Sequence, residues 1–323
     1  MKKILCLGTI VTDILSGPFN RGLSFSKFPP PSVEPHAGGN GYNVAAGLVK
    51  LGIPGKNTGL CSACGNDTAG ALLLESVKKR KIRSFVKIIP GKKTASSLII
   101  SFKGDKRHFI GDDSTGRFIK PLPVLKALDF FKPSVFYAGE TSAMPRIEKK
   151  LPAILKKAKK RGCLTFVDYI IINSGYSGTV YKAAPYTDAL HINEYEAKIL
   201  CGTRNLKRAA VRLYKSGIKL VTVSSGEKNL IAAHKGILYE IPVFKIKCVD
   251  ATGAGDAFTA GLIKKINFEN QKQLIDALIY AMAAGAAAVT RKGCTEGIDK
   301  KLINTLIKRQ STGIKKRIKK TII

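Results

Sequence analysis

Short apolar, β-branched runs alternate with longer amphipathic runs along most of this chain. Strand-like runs fall at residues 3–8, 57–61, 134–138, 164–168, 189–193 and 220–224, and helical periodicity at 43–51, 68–79, 147–161, 194–201, 206–216, 254–265 and 271–290. A strand that returns through a helix pairs parallel with its predecessor, and a sheet built this way is covered on both faces. The pattern therefore predicts an α/β fold of three layers, α/β/α, around a mostly parallel central sheet. Open sheets of this kind bind ligands at the carboxyl ends of their strands. Asp13, Glu140, Asp168 and Asn193 stand at or just after such ends.

Two segments break the rhythm. Residues 17–36 carry Pro18, Pro29, Pro30, Pro31 and Pro35, and residues 92–116 alternate apolar and polar side chains around a Lys103-Gly-Asp turn. Alternation with such a turn reads as a hairpin, and a hairpin needs a further strand or partner to be stable. The two segments are expected to form a small β-lid over the ligand edge of one domain spanning residues 1–323. A lid of this kind excludes water from a reacting site.

At 323 residues and 45% hydrophobic content the chain can bury a large core. No apolar run approaches the roughly 20 residues of a membrane span, and the apolar start at residues 3–8 is too short for a signal peptide. Seven scattered cysteines, an odd number, point to reduced thiols and a cytoplasmic setting. Cys61 and Cys64 form an isolated CxxC, expected as small buried residues. Net charge is +33, mostly lysine spread over helix faces, which draws anions in a salt-dependent way. Residues 308–323 form the one dense basic cluster, read as a C-terminal tail or a capping helix. No nucleic-acid-binding motif accompanies it, so specific nucleic-acid binding is not expected. The four histidines show no metal-ligand spacing.

Chemistry concentrates in two glycine-rich strings. The first is Asp250-Ala-Thr252-Gly253-Ala254-Gly255-Asp256, running into an apolar helical segment. Small residues opening a helix leave amide donors bare at the positive end of its dipole, which suits phosphate. An aspartate there repels a plain anion, so Asp256 reads as a base for an attacking hydroxyl. The second string is Gly38-Gly39-Asn40-Gly41-Tyr42-Asn43. Its glycines permit close backbone approach, and its asparagines both donate and accept, as hydroxyl recognition requires.

Together the two strings resemble the signatures of the PfkB (ribokinase-like) family of sugar and nucleoside kinases, over nearly the whole chain. Within the family the chain is most similar to a little-characterised sugar-kinase branch. The resemblance implies a ribokinase-like fold and ATP-dependent phosphorylation of a hydroxyl, expected to be primary, on a small sugar. Asp256 becomes the general base, with Gly253, Ala254 and Gly255 as the anion hole. Asp13, Gly39, Asn40, Asn43 and Glu140 become acceptor-binding residues, with Arg117 a further candidate. Asn193, Ser224 and Gly226 come to lie along the nucleotide with Gly253 and Gly255. Asn193-Glu-Tyr-Glu196 resembles the family's NxxE motif, in which Glu196 holds Mg²⁺ through water, and it is at the same time a capping-box sequence. Asp250, Thr252, Ala288, Arg291 and Gly293 match a potassium site of ribokinase, although Gly297 stands where ribokinase has a serine ligand. Ribokinase also has a lysine where this chain has Asn40, which counts against ribose as the acceptor. A homodimer through the lid follows from the same resemblance.

Two other readings stay open. A nucleoside acceptor would stack on aromatic rings near the lid, where Phe102, Phe109 and Phe118 are available. A kinase-like protein without turnover that binds nucleic acid or regulates is favoured by the +33 charge and opposed by the intact Asp256 and NxxE strings.

Overall fold

The computed structural model describes residues 2–19, 34–102, 106–112, 115–170 and 178–323. In chain order the strands are β1 (Ile4–Leu7), β2 (Val11–Phe19), β3 (Glu34–Gly38), β4 (Thr58–Gly65), β5 (Arg83–Ile89), β6 (Ser96–Phe102), β7 (Lys106–Asp112), β8 (Val135–Gly139), β9 (Leu164–Asp168), β10 (Ala189–Asn193), β11 (Leu220–Ser224), β12 (Leu230–His234), β13 (Ile237–Ile241) and β14 (Lys319–Ile322). The helices are α1 (Asn40–Lys50), α2 (Thr68–Lys79), α3 (Pro121–Phe131), α4 (Pro145–Glu148), α5 (Leu151–Lys160), α6 (Gly178–Ala183), α7 (Glu194–Cys201), α8 (Leu206–Lys215), α9 (Ala254–Lys265), α10 (Gln271–Ala288) and α11 (Lys300–Lys316).

The main sheet runs β14-β13-β12-β11-β10-β9-β8-β1-β4-β5. Every pair from β11 to β5 is parallel, and the β11–β14 end is antiparallel. Successive residues of β1 show why it must be central. Ile4 and Cys6 join one apolar cluster with α1, α9 and α10, while Leu5 and Leu7 join another with α3, α5 and α8. Both faces are dry, so the strand reads as a continuous apolar run. From β1 the chain first builds outward through β4 to β5, then returns to place β8 on the other side of β1. That reversal makes the carboxyl ends of β1 and β8 the topological switch point, where a crevice opens.

The second sheet runs β3-β2-β6-β7. The hairpin expected within residues 92–116 is present as β6 and β7, in register from Ser96↔Asp112 to Phe102↔Lys106. Its partner strand β2 lies parallel to β6 and carries β3 on its other edge. The Gly-Asp turn at 104–105 and the prolines at 29–31 lie outside the described residues.

Several element boundaries differ from those the sequence suggests. The helix expected over 147–161 is two, α4 and α5, and the second starts with Pro152 in its first turn. Helix α1 begins at Asn40, three residues earlier than its apolar periodicity. The basic stretch 308–323 is not a tail: it is the second half of α11 followed by edge strand β14 on β13. Cys61 and Cys64 are buried in β4 as free thiols. Among the described residues no helix is long and apolar enough to cross a membrane.

Candidate active site

The turns at the switch point are rich in glycine because side chains and backbone crowd into them. A methyl at Gly41 would lie 2.7 Å from the Gly8 backbone after β1, and one at Gly38 would lie 1.8 Å from Asp13 Oδ2. Gly39 is the N-cap of α1 with φ 88°, and its own Cβ would meet the Thr9 carbonyl. The turn is therefore closed on the protein itself, with Tyr42 N–H donating to that same Thr9 carbonyl at 3.2 Å. Space is left for one side chain, the Asp13 carboxyl on β2. It is buried and accepts from Cys294 Sγ–H at 3.2 Å. Burial pushes its pKa up to about 6, against the opposing pull of the Cys294 bond and the His36 charge.

Asp256 occupies the first turn of α9, whose N-cap Gly253 has φ 76° and is pressed against the Cys294 carbonyl. Both carboxylate oxygens are held from α1. Asn40 Nδ2 donates to Oδ1 at 2.6 Å and Asn43 Nδ2 to Oδ2 at 2.8 Å. Ala254 N–H turns back to the Ala251 carbonyl at 3.3 Å, which leaves Gly255 and Asp256 as first-turn N–H groups without an intrahelical acceptor.

Asn40, expected to grip the acceptor, has its side chain bonded within the protein. Its amide donates to Asp256 and approaches Asp168 Oδ2 at 3.5 Å, while its carbonyl accepts from the Tyr137 hydroxyl. Asn43 keeps its Oδ1 buried and without a protein partner, so an incoming hydroxyl could supply the missing donor. Glu140, at the end of β8 with φ 50°, accepts from the Thr9 hydroxyl and lies close enough to raise the pKa of Asp256. Arg117 is exposed in the short turn 116–118.

Three carboxyls crowd this site. Burial, then the Asp168 charge, holds Asp256 well above the usual carboxylate range, although its surface is only half-buried. Burial followed by the Glu196 charge pushes Asp168 up to about 8. Burial chiefly pushes Glu196 up to about 7, with Asp256 adding to the effect. Three acids that raise one another are short of positive charge, which a divalent cation would supply. Among the described residues no three His, Cys, Asp or Glu side chains converge to hold a metal directly. Carboxylate oxygens are the hard donors that Mg²⁺ takes, few at a time and often through its own waters, so this acidic set fits it. Glu196 is also the N3 member of a complete capping box with Asn193, at 2.7 and 3.0 Å, so the helix cap and the acidic group coincide.

Ser224 ends β11, and Gly226 turns with φ 52° into open space. His191, to which the sequence assigned no role, sits beneath them. Its Nδ1 meets Thr222 Oγ1 at 3.1 Å, its Nε2 lies 3.5 Å from Ser224 Oγ, and its ring stacks on Phe258. Burial lowers its pKa to about 4, so it is neutral. At the next turn Asp250 accepts from Thr252 N–H and Oγ1–H at 2.9 and 2.7 Å and from Gly293 N–H at 3.1 Å. It ties the turn that carries Thr252 to the loop after α10 that carries Arg291 and Gly293, with Ala288 at the end of that helix. Asp168, Tyr137, Thr9, Thr259 and Cys294 are site residues that no short motif singled out. Two surface cavities, of about 400 and 910 Å³, lie between α9, α10 and α11 and beside β5. Neither includes these residues.

The sequence model of the pfkB family carbohydrate kinases matches residues 1–301. A fructokinase of Solanum tuberosum is 27% identical over 301 residues, covering 90% of this chain and 90% of the relative. Fructokinase-2 of Oryza sativa subsp. japonica is 25% identical over 274 residues, covering 79% of this chain and 80% of its own. The ribokinase of Giardia lamblia superposes with a TM-score of 0.82 at 18% identity, over 94% of this chain and 99% of that one. A protein described as a ribokinase II from E. coli, solved with ATP and Mg²⁺, gives 0.77 at 23% identity over 96% and 100%. The fold is ribokinase-like.

Proposed function

The chain belongs to the pfkB family and is a carbohydrate kinase, and from that premise we propose that it transfers the γ-phosphoryl group of ATP to a hydroxyl, expected to be primary, of a small sugar. The observation that carries this reading is the clamp on Asp256, whose two oxygens are fixed by Asn40 and Asn43 at the mouth of a helix. A fixed carboxylate there can take the proton of an attacking hydroxyl as its oxygen bonds to phosphorus. The Gly255 and Asp256 amides, with Gly253 and Ala254 shaping the turn, face the charge that develops on the phosphoryl oxygens.

Asp13 accepts from neighbouring hydroxyls of the sugar, a two-oxygen match, and Asn43 Oδ1 takes a third. Gly39 lets the turn close, and Glu140 bounds the acceptor end. The nucleotide lies along Asn193, Ser224 and Gly226. Mg²⁺, when bound, neutralises charge across the phosphates, and Glu196 would hold it through water. A potassium ion in the Asp250–Gly293 turn would rest on the carbonyls of Thr252, Ala288, Arg291 and Gly293, with Asp250 balancing charge behind them. The four-stranded sheet serves as the lid, because it carries Asp13 itself, and two copies would associate through it.

ADP release measured against a panel of ketoses, aldoses and nucleosides tests the reading. One sugar class should support turnover. Asp256→Asn should lower kcat by a factor on the order of 10² to 10⁴. Near-normal turnover of that variant, or release by no sugar, refutes the assignment.

A further inference from the structure

Behind Asp256 lies a second carboxyl that the reaction as written does not use. Asp168 ends β9, is buried, and has one oxygen at the centre of three polar groups. Thr259 Oγ1 donates to Oδ2 at 3.2 Å, and Asn40 Nδ2 and Tyr137 Oη reach it at 3.5 Å. Thr259 stands three residues after Asp256 on α9, so one helix turn carries both the reacting carboxylate and a contact to the carboxyl behind it. Asn40 has two amide hydrogens, one directed at each acid. Its carbonyl is pinned by Tyr137, which prevents the amide from flipping. Gly139 makes the arrangement compact, since a methyl there would lie 1.6 Å from Asn40 Oδ1.

We propose that Asp168 is a positioning residue of the transfer reaction, which acts through the shared Asn40 amide to hold Asp256 in the orientation that receives the acceptor proton. The inference rests on Asp256 being the base. Like charges a few ångströms apart oppose each other's ionisation, so Asp168 also strengthens the hold of Asp256 on a proton. The other groups facing the pair are Glu196 on α7, Glu140 after β8, His191 opposite Asp168 on β10, Tyr137 on β8, Asn43 on α1 and the Cys294 thiol. Among them the neutral His191 brings no positive charge that would mask the coupling.

The test is the pH profile of kcat for Asp168→Asn at saturating Mg-ATP and sugar. Losing the second carboxyl lowers the proton affinity of Asp256. The acid limb should therefore move to lower pH by about one unit, and kcat at its plateau should fall about tenfold, because a weaker base accepts the proton less readily. Both KM values should stay within about threefold, as expected when only the transition state is affected. An acid limb that does not move overturns the proposal even if kcat drops, since a purely structural role would behave that way. Where Asp168→Asn does not fold, Thr259→Val is read instead. It removes one donor from Asp168 and should move the limb in the same direction by less, and an unmoved limb counts against the proposal equally. Asp256→Asn assayed alongside keeps the two readings apart: its normal turnover would remove the base assignment, whereas its collapse with an unshifted Asp168→Asn profile removes only the coupling.

Discussion

Two glycine-rich turns open two helices at this site, and they use glycine for opposite ends. In the turn before α1 the glycines are pressed on the protein. Gly38 makes room for the Asp13 carboxyl, Gly41 for the backbone of Gly8, and the amide of Tyr42 is already bonded to Thr9. In the turn before α9 only Gly253 is pressed, against Cys294. Gly255 is exposed, and a methyl on it would meet nothing nearer than His191 Nε2 at 3.7 Å. In the proposed reading the first turn moulds side chains that recognise an acceptor, and the second keeps space and amide donors for a group that arrives from outside. The two strings look alike as sequence, and only the surroundings separate a glycine pressed on protein from one that faces open space.

If that distinction holds, damage to the first turn should appear in the sugar KM and damage to the second in kcat. The largest effect is expected from Gly38→Ala. Its methyl occupies the position of Asp13 Oδ2, so the carboxyl must swing away from the pocket. Losing charge-assisted bonds to two hydroxyls is worth about 3 kcal/mol, or a sugar KM raised on the order of 10². The KM for ATP should change little, and an equal rise in both would erase the division of labour. Gly255→Ala comes next. Alanine is favoured over glycine in a helix by roughly 0.5–1 kcal/mol, and the new methyl makes only ordinary contact, so thermal stability should hold or rise. Turnover should nevertheless fall about tenfold, because the methyl enters the space proposed for the phosphoryl group. A variant that is both stable and fully active would place that group elsewhere.

The parallel strands from β11 to β4 were legible because they are buried along almost their whole length and read as short, mostly apolar runs. The edges were not. In β5 (Arg83–Ile89) exposed residues outnumber buried ones, and β14 (Lys319–Ile322) is exposed throughout, so neither carries a burial pattern to read. Charged edge strands also discourage unwanted pairing, which hides them further. Within the site, Asp256, Asn43 and Asp13 lay in or near recognisable strings. Asn40 lay in the same string as Asn43, but its contacts could not be read there, because Tyr137 and Asp168 lie 97 and 128 residues away, brought together only by the adjacency of β1, β8 and β9. His191 and Cys294 escaped for the same reason, since a lone buried residue acquires meaning from what the fold sets beside it.

The smallest effect is a titration, and it probes the first turn without mutation. In the proposed reading Asp13 is ionised when it accepts from sugar hydroxyls, yet burial raises its pKa from 3.8 to about 6. In the sugar-free protein a raised carboxyl contributes stability that is complete below pH 3.8 and lost as pH rises through about 6. Sugar binding has the opposite sign, because the ligand selects the ionised form. The value of 1/KM for the sugar should therefore fall about twofold between pH 7 and pH 6 and about tenfold by pH 5, provided Asp13 is the group that titrates. Asp13→Asn should bind sugar weakly and without this pH dependence. A wild-type sugar KM that is flat from pH 7 to 5 would mean that the carboxyl moulded by Gly38 does not touch the acceptor, and the contrast between the two turns would lose its first member.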